Sequence, residues 1–316
     1  AAGAIGSAAG DTALRVTKSL TNTGGTVSSA NALIVASDTI DNSNGSVTAV
    51  RGAQIQTGDL VNAGGQIGSS SDALSLTATR AVSNDGGKLV GATGLSATAA
   101  TLSNRAGQIG TSSGDMALTV SQALDNTQGK ITAAGALNTQ AGAFDNSQGA
   151  VSANTAKIDV AGALTNAGGT IATTHDMTVA AQTVTNHGGT IGSVSGALSV
   201  ATSGTTDNAG GKLLASGDTK LTNTGLLNSG GTITGANVTL ASGQGAIDNT
   251  LGNVAASRSL TSRSGAFDNR SGLVQATGAV DLDTHGQTFD NGVLAGQSTG
   301  GQVLGNGVTL KTGALS

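Results

Sequence analysis

Apolar and polar positions recur along this 316-residue chain at intervals of 20 to 22 residues. Each repeat has an apolar residue, any residue, Asn, two residues, Gly, any residue and an aliphatic residue, as in residues 20–27 and 40–47. An Ile, Leu or Val follows 5 residues after 13 of the 14 repeat asparagines. A short period that runs through a whole chain indicates a solenoid, in which each repeat packs on its neighbours.

The Asn-x-x-Gly segment of each repeat is the predicted turn, because Gly adopts positive φ freely and Asn tolerates it. We expect the asparagines to stack in register and to hydrogen-bond to one another or to the turn backbone. A row of amides that binds a glycan is the alternative. The predicted structural ladder consists of Asn22, Asn42, Asn62, Asn84, Asn104, Asn126, Asn146, Asn166, Asn186, Asn208, Asn228, Asn249 and Asn269, with Gly25, Gly45, Gly65, Gly87, Gly107, Gly129, Gly149, Gly169, Gly189, Gly211, Gly231, Gly252 and Gly272.

Two short strand segments are visible in each repeat. The first begins at the turn glycine, as in residues 129–133 and 149–153, and the second is an apolar pair such as residues 118–120. Both alternate with period 2, and no helical period is present. The pattern predicts an all-β fold, either a β-helix (solenoid) of about 20-residue coils or a meandering sheet. We favour the β-helix, because two or three short strands per repeat match a coil that closes on itself. Fourteen coils at the inter-strand spacing would form a rod of roughly 65–70 Å.

Three steps of 22 residues follow an Ile-Gly-Ser or Ile-Gly-Thr sequence, at residues 67–69, 109–111 and 191–193. They predict one recurring turn that is two residues longer and exposed. The fourteenth asparagine, Asn291, has no Gly three residues later. We therefore expect one domain over residues 1–316, with regular repeats in 1–290 and a less regular end in 291–316. We also expect it to be a fragment of a longer chain.

Composition agrees with a narrow, layered core. The chain has no Pro, no Cys, no Trp and no Tyr, and only 3 Phe. Proline would remove a hydrogen bond from a paired inner strand, so its absence favours continuous pairing. The net charge is −4, and the 14 basic residues are scattered. This gives no electrostatic footprint for nucleic acid or an anionic membrane, and no apolar run reaches the ~18 residues of a membrane span.

Candidate chemistry is sparse. Asp precedes the repeat Asn at Asp41, Asp125, Asp145, Asp207, Asp248, Asp268 and Asp290. These carboxylates are too few for the oxygen cage of calcium, so we interpret them as solvated turn residues, with calcium a minor alternative.

Other polar residues are interpreted in the same way. His175, His187 and His285 are predicted to be exposed loop residues, because no spacing resembles a zinc site. Asp281 and Asp283 share one strand face, as the carboxylates of a glycosidase could, but no long loop or aromatic residue accompanies them. Thr positions are too interrupted for an ice-binding array. We predict no catalytic, cofactor-binding or metal site.

The repeats resemble filamentous haemagglutinin repeats, and the run Leu124-Asp125-Asn126-Thr127-Gln128-Gly129-Lys130-Ile131-Thr132-Ala133 carries the likeness well. The resemblance covers almost the whole chain. It implies a right-handed parallel β-helix in a large two-partner-secretion exoprotein, located on the cell surface of a Gram-negative bacterium or secreted from it. Such proteins include adhesins and contact-dependent growth inhibition proteins.

The resemblance also implies partners: an outer-membrane two-partner-secretion transporter during export, and a host-cell or bacterial surface receptor. No nucleic-acid partner and no membrane insertion are expected. The predicted role is a stalk that projects an adhesive or toxin-delivery element. The alternatives are a receptor- or glycan-binding module that uses one face of the rod and, less favoured, a polysaccharide-active β-helix enzyme.

Overall fold

The computed structural model describes residues 3–316, and the strands in this part of the chain pair in parallel. The described residues form strands, turns and bends, with no helix. Nothing in residues 3–316 therefore has the length and apolar character of a membrane-crossing helix. The predicted parallel β-helix is confirmed. The chain divides into two compact units, Ala1–Ala161 and Gly162–Ser316.

Each coil has three strand positions rather than the two that the sequence located. The first position follows the Asn turn. In unit 1 its strands are Ala4–Ser7, Thr26–Ser29, Ser46–Ala49, Gln66–Ser69, Lys88–Gly91, Gln108–Thr111, Lys130–Thr132 and Ala150–Ala153. In unit 2 they are Thr170–Thr173, Thr190–Ser193, Lys212–Ala215, Thr232–Gly235, Asn253–Ala256, Leu273–Ala276 and Gln302–Leu304.

The second and third positions occupy the rest of the coil, and in some coils of unit 1 they merge into one strand. The merged strands are Thr12–Thr21, Leu33–Asp41, Ala53–Val61, Met116–Asp125 and Ala136–Asp145. The separate second strands are Leu74–Ala78, Leu95–Ala99, Thr155–Val160, Met177–Ala181, Leu198–Thr202, Thr219–Thr222, Val238–Ala241, Leu260–Arg263, Val280–Asp283 and Val308–Lys311. The separate third strands are Ala81–Ser83, Thr101–Ser103, Ala163–Thr165, Thr183–Thr185, Thr205–Asp207, Gly225–Leu227, Ile247–Asp248, Phe267–Asp268, Thr288–Asp290 and Ala314–Leu315.

The third strand includes the residues directly before the repeat Asn. Val82 and Leu102 point inward and are 2% and 1% exposed, whereas Ser83 and Ser103 are half-buried. Three residues are enough for this strand because one inward side chain anchors it. Such a short segment shows too little alternation to be recognised from sequence.

The core of each unit consists of stacked aliphatic columns. Val47 pairs with Ile67, and Leu89 pairs with Ile109, so that the residue five positions after each Asn lies on its counterpart in the next coil. These side chains are at most 1% exposed. Each buried aliphatic side chain contributes about 1.5–3 kcal/mol to the stability of the fold relative to an exposed one. The third strands add Phe267 and Phe289 to the core, and their ring centroids lie 5.3 Å apart.

The three 22-residue coils that follow Ile-Gly-Ser or Ile-Gly-Thr do not contain one longer turn, which corrects the expectation from the sequence. In the coil that follows Asn62, each residue can be compared with its strand partner in the coil that follows Asn42. The difference in residue number is 20 at Val47↔Ile67, 21 at Ile55↔Leu76 and 22 at Leu60↔Val82. One residue is therefore inserted at each of two corners. A single insertion at each corner keeps all three strands in register, because each strand retains its own inward positions.

The last turn contains a longer loop than the turns before it. Gly301 takes the place of the turn glycine after Asn291: its N–H donates to the carbonyl oxygen of Asn291 at 2.9 Å. The intervening residues 292–300 form a loop that is closed by a bridge between Val293 and Gly300. The coil then continues through Gln302–Leu304 to Ala314–Leu315, so the stacking of strands does not stop at residue 290.

Candidate functional site

The repeat asparagines form a continuous hydrogen-bonded ladder within each unit. In unit 1 the Nδ2 atom of each Asn donates to Oδ1 of the next, from Asn22 to Asn146, at 2.7 Å in all six bonds. Unit 2 repeats the arrangement from Asn166 to Asn291, again with six bonds of 2.7 Å. The ladder has one direction along the chain.

Each amide also satisfies the backbone of its own turn and of the next coil. The Nδ2 atom of Asn84 lies 3.2 Å from the carbonyl oxygen of Gly87 and 3.1 Å from that of Gln108. Its backbone N–H donates to Ser103 at 2.7 Å. Asn84 is 0% exposed, so these bonds replace water that is absent from the interior. The ladder therefore joins the turn backbone of one coil to that of the next.

The turn glycine is required for space rather than for positive φ, which corrects the sequence interpretation. A Cβ atom on Gly107 would overlap the carbonyl oxygen of Asn84 and lie 2.6 Å from Oδ1 of Asn104. Gly231 meets the same obstacles at Asn208 and Asn228. Any side chain here would push neighbouring coils apart and stretch the ladder.

Positive φ belongs to the residue just before that glycine, two positions after Asn. Gly occupies this position in seven turns, for example Gly64 and Gly188. In six others a non-Gly residue adopts φ between 51° and 57°, and these residues are Asn44, Ala106, Gln128, Gln148, Leu251 and Ser271. A left-handed conformation costs a residue with a Cβ atom about 1–2 kcal/mol, so the stacked turns impose it against local preference.

The aspartates before the repeat Asn cap the turns. Oδ1 of each of the seven accepts from the backbone N–H two residues later, as in the bonds from Ser43 to Asp41 at 2.9 Å and from Ser147 to Asp145 at 2.8 Å. A short carboxylate suits this Asx-type bond. The seven aspartates are therefore turn-capping residues, which is a more specific role than solvated surface.

Hydrogen bonds to these aspartates lower the pKa of three of the carboxyl groups. Ser43 donates from its hydroxyl and its backbone to Asp41, and this lowers the pKa of that carboxyl. Burial tends to raise the pKa of Asp125, but hydrogen bonds from Thr127 and the guanidinium of Arg105 outweigh it, so that the pKa falls below its usual value. The pKa of Asp268 is lowered for the same reasons, with Arg270 as its partner.

Other aspartates join one coil to the next at the corners. Oδ1 of Asp115 accepts from the backbone N–H of Ala136 at 2.8 Å, and Oδ1 of Asp176 accepts from Ala197 at 2.8 Å. Reaching a neighbouring backbone at these distances requires a short side chain, which agrees with the fact that all 18 acidic residues are Asp. Asp115 and Asp176 thus serve the backbone of the coils.

Comparison with known proteins supports the same conclusion. The model of the haemagglutinin repeat matches residues 2–81, 69–137, 111–168, 151–198, 193–250 and 241–316. The chain belongs to the haemagglutinin repeat family. No curated protein and no solved structure matches the chain.

Haemagglutinin repeats are structural adhesin repeats rather than an enzyme family. Secreted and surface-located adhesins contain them. In this haemagglutinin repeat chain the ladder, the turn glycines and the aliphatic columns recur in coil after coil of each unit. The repeated residues therefore build the scaffold.

The remaining candidate residues of the haemagglutinin repeats are dispersed. His175, His187 and His285 are exposed, as predicted. Asp281 and Asp283 do share the outer face of one strand, but Arg263 pairs with Asp281 at 2.5 Å and Lys311 with Asp283 at 3.2 Å. Among residues 3–316 no group of three or more His, Cys, Asp or Glu residues is placed to hold a metal ion.

A second buried polar column in unit 2 was missed from the sequence. It lies at the corner between the second and third strands and comprises Thr202, Asn223, Ser242, Ser264 and Thr284, each 6% exposed or less. Ser242 donates to Oδ1 of Asn223 at 2.6 Å, whereas Nδ2 of Asn223 has no partner among the described residues. In the sequence, this column is visible only as a hydroxyl or amide residue at each of these corners. The number of residues between this position and the next repeat Asn varies, so the column does not stand out as a regular repeat.

The Ile-Gly-Ser and Ile-Gly-Thr sequences were correctly associated with the longer coils, for a reason visible only in the structure. The hydroxyl of Ser69 accepts from the N–H of Asp72 at 3.1 Å, and Ser193 accepts from Gly196 at 2.9 Å. Ser7, at the start of the chain, accepts from Gly10 at 2.9 Å. The buried hydroxyl thus caps the wider corner. Residues 70–73, which follow Ser69, are exposed as expected.

Proposed function

We propose that this chain is a stalk segment of a secreted Gram-negative surface exoprotein, in which it projects an adhesive or toxin-delivery element from the cell. Support comes above all from the uniformity of the ladder. Each unit repeats the same 2.7 Å Asn-to-Asn bond six times. A scaffold needs such uniformity, whereas a catalytic site needs one coil to differ from the others.

We further propose that the two units form one continuous domain, which passes through an outer-membrane two-partner-secretion transporter before it folds. The absence of cysteine suits this route, because a disulfide formed early would block passage. Stacking of coils outside the membrane would favour onward movement, since each folded coil is a template for the next.

Deletion of whole coils tests the stalk role. Removal of residues 23–62 takes out two complete 20-residue coils and leaves Asn22 in place of Asn62. The protein should remain β-rich and surface-displayed, and its maximum dimension in X-ray scattering should fall by about 10 Å, two inter-strand spacings. Removal of residues 23–52 is the matched control, because it breaks the register of every column and should abolish folding. Equal loss of display in both variants would contradict a passive stalk.

A receptor-binding module is the second candidate. Exposed apolar residues that interrupt the polar surface favour it, and Val194 at a wide corner is 70% exposed. The labelled protein should then bind host epithelial cells or related bacteria in a saturable way, and the preferred cell type would distinguish adhesion from growth inhibition. Absence of saturable binding to both, with a β-rich circular dichroism spectrum, would leave the stalk role alone.

A further inference from the structure

Three asparagines of this chain are followed directly by glycine, namely Asn44, Asn291 and Asn306. In an Asn-Gly pair the backbone nitrogen of glycine can attack Cγ of the asparagine, because glycine has no side chain to shield that nitrogen. The N–Cγ bond forms, the Cγ–Nδ2 bond breaks, and the amide proton leaves with the side-chain NH2 group as ammonia. Water then opens the resulting succinimide ring to give aspartate or isoaspartate. A pair reacts only where the fold lets the nitrogen and Cγ approach each other.

The pair at Asn44 is held in its turn. The N–H of Gly45 donates to the carbonyl oxygen of Asn42 at 2.9 Å, and Gly45 is buried. A nitrogen whose proton is bonded to a fixed oxygen cannot turn toward the neighbouring side chain without loss of that bond. The regular Asn turn therefore protects this pair.

The pair at Asn291 is held at both reacting groups. The N–H of Gly292 donates to Oδ1 of Asp290 at 3.0 Å. The Asn291 amide belongs to the ladder: its Oδ1 accepts from Asn269 at 2.7 Å, and its Nδ2 donates to the carbonyl oxygen of Gly301 at 2.9 Å. Attack on Cγ would disrupt these bonds, so this pair is protected as well.

Asn306 and Gly307 lie at the corner between the strands Gln302–Leu304 and Val308–Lys311, and both residues are exposed. The Asn306 N–H donates to the carbonyl oxygen of Gly278 at 2.8 Å, and the Gly307 carbonyl oxygen accepts from Val280 at 3.0 Å. The reacting groups themselves, the Asn306 side chain and the Gly307 N–H, form no hydrogen bond within residues 3–316. They are therefore free to meet.

The same corner near the start of unit 1 shows what protects an asparagine at this position. Asn31 and Ala32 occupy it, and Oδ1 of Asp11 in the preceding coil accepts both from the Ala32 N–H, at 3.1 Å, and from Nδ2 of Asn31. One carboxylate thus holds both groups that would react, and its negative charge opposes loss of the N–H proton. Asp115 and Asp176 bond to the following coil in the same way.

In the coil that precedes Gly307, alanine takes the place of this carboxylate. Ala279 comes directly before Val280, as Asp11 comes directly before Thr12, and Val280 pairs with the residue after Gly307. A methyl group accepts no hydrogen bond. The Gly307 N–H therefore has no acceptor in the preceding coil, whereas the equivalent N–H groups beside corner aspartates do.

We propose that Asn306 is a site of spontaneous deamidation, which converts it to aspartate and isoaspartate in the folded protein while the other two Asn-Gly pairs remain intact. The product adds a negative charge to the corner. Isoaspartate also inserts an extra atom into the backbone between the hydrogen bonds that residues 306 and 307 form with Gly278 and Val280. These bonds cannot both keep their geometry, so the modification loosens this corner of the coil.

Incubation of the 316-residue protein at mildly alkaline pH, followed by tryptic digestion and mass spectrometry, tests the assignment. Trypsin releases residues 19–51 and 271–311, and fragment ions assign the mass increase to Asn44, Asn291 or Asn306. Asn306 should react first in the folded protein, and a digest taken at zero time corrects for reaction during digestion. In urea the three pairs should react at similar rates, because the fold no longer distinguishes them.

A pair of variants tests the role of the missing carboxylate. Ala279→Asp supplies it and should slow the reaction at Asn306 roughly twofold to tenfold, the range expected for one hydrogen bond. Thr277→Asp adds the same charge at an exposed residue nearby and should leave the rate close to that of the unmodified sequence.

Reaction at Asn44 or Asn291 as fast as at Asn306 in the folded protein would overturn the assignment, and so would equal rates at Asn306 in the two variants. The comparison of folded and urea-unfolded protein needs no substitution, so the test stands even where a variant fails to fold. A stalk with an unreactive Asn306 has the same fold, and such a failure therefore leaves the proposed structural role intact.

Discussion

The Nδ2 atom of Asn84 donates to Oδ1 of Asn104 at 2.7 Å, and both residues are 0% exposed although 20 positions separate them in the chain. Each ladder residue is thus a donor to the coil that follows and an acceptor from the coil that precedes. Loss of one amide leaves two neighbours incompletely satisfied, and the cost is concentrated in the interior, where water cannot replace the bond.

Asn104→Ala should destabilise the protein by about 2–4 kcal/mol, because Oδ1 of Asn126 loses its buried donor and Nδ2 of Asn84 loses an acceptor. Urea unfolding followed by circular dichroism measures the change. Asn138→Ala, at an exposed strand position, is the control and should cost much less. Similar losses in the two variants would show that the ladder contributes no special stability.

Gly107→Ala should be at least as damaging as loss of the amide, about 3 kcal/mol or more, because the methyl group has no space against the coil of Asn84. Gly52→Ala is a suitable comparison, since the nearest atom to its added Cβ lies 3.6 Å away. A Gly107→Ala protein with an unchanged melting temperature would refute the steric requirement.

Ala106→Gly should stabilise the protein, in contrast to most glycine substitutions. Ala106 has φ of 51°, and glycine removes a strain of about 1 kcal/mol that exceeds the added entropy of the unfolded chain. The midpoint of urea unfolding should rise. Ala100→Gly, at a residue without positive φ, should lower it, and the same fall in both variants would contradict strain at position 106.

Ser262→Ala should also stabilise, by about 1 kcal/mol. The Ser262 hydroxyl is 0% exposed, has no hydrogen-bond partner among the described residues and lies in register between Leu240 and Leu282. Ser259→Ala is the control, because that hydroxyl donates to Asn237 at 2.7 Å and its loss should not stabilise. Differential scanning calorimetry should show a higher melting temperature for Ser262→Ala and no increase for Ser259→Ala. Destabilisation by Ser262→Ala would show that its hydroxyl has a hydrogen-bond partner in solution.

Acid should destabilise the protein through its turn caps. The pKa of Asp41, Asp125 and Asp268 is lowered in the folded state by hydrogen bonds and, for the last two, by arginine. Their contribution is therefore complete above the unfolded value of about 3.9, and it is lost as the pH falls through the folded pKa. Urea midpoints measured from neutral pH down to about pH 3 should fall on acidification. Asp125→Asn with Asp268→Asn should flatten that fall, and an equally steep fall would place the acid sensitivity elsewhere.

Much of the scaffold could be predicted from residues such as Asn104 and Ile109, because a repeated spacing between a turn residue and a buried aliphatic residue is visible along the chain. The exact geometry of Gly107 could not be predicted, since the atom that excludes a side chain belongs to the preceding coil. The column of Lys88, Gln108 and Lys130 was hidden for the same reason, because these residues are far apart in sequence and align only through parallel pairing.

The sequence by itself determined the period, the parallel stacking and the ladder residues, because period and burial are encoded in short-range patterns that every coil repeats. Only the tertiary structure decided the third strand, the division of the extra residues between two corners and the replacement of the last turn glycine by Gly301. Each of these depends on which atoms of adjacent coils come within hydrogen-bonding or contact distance, and register between coils sets those distances.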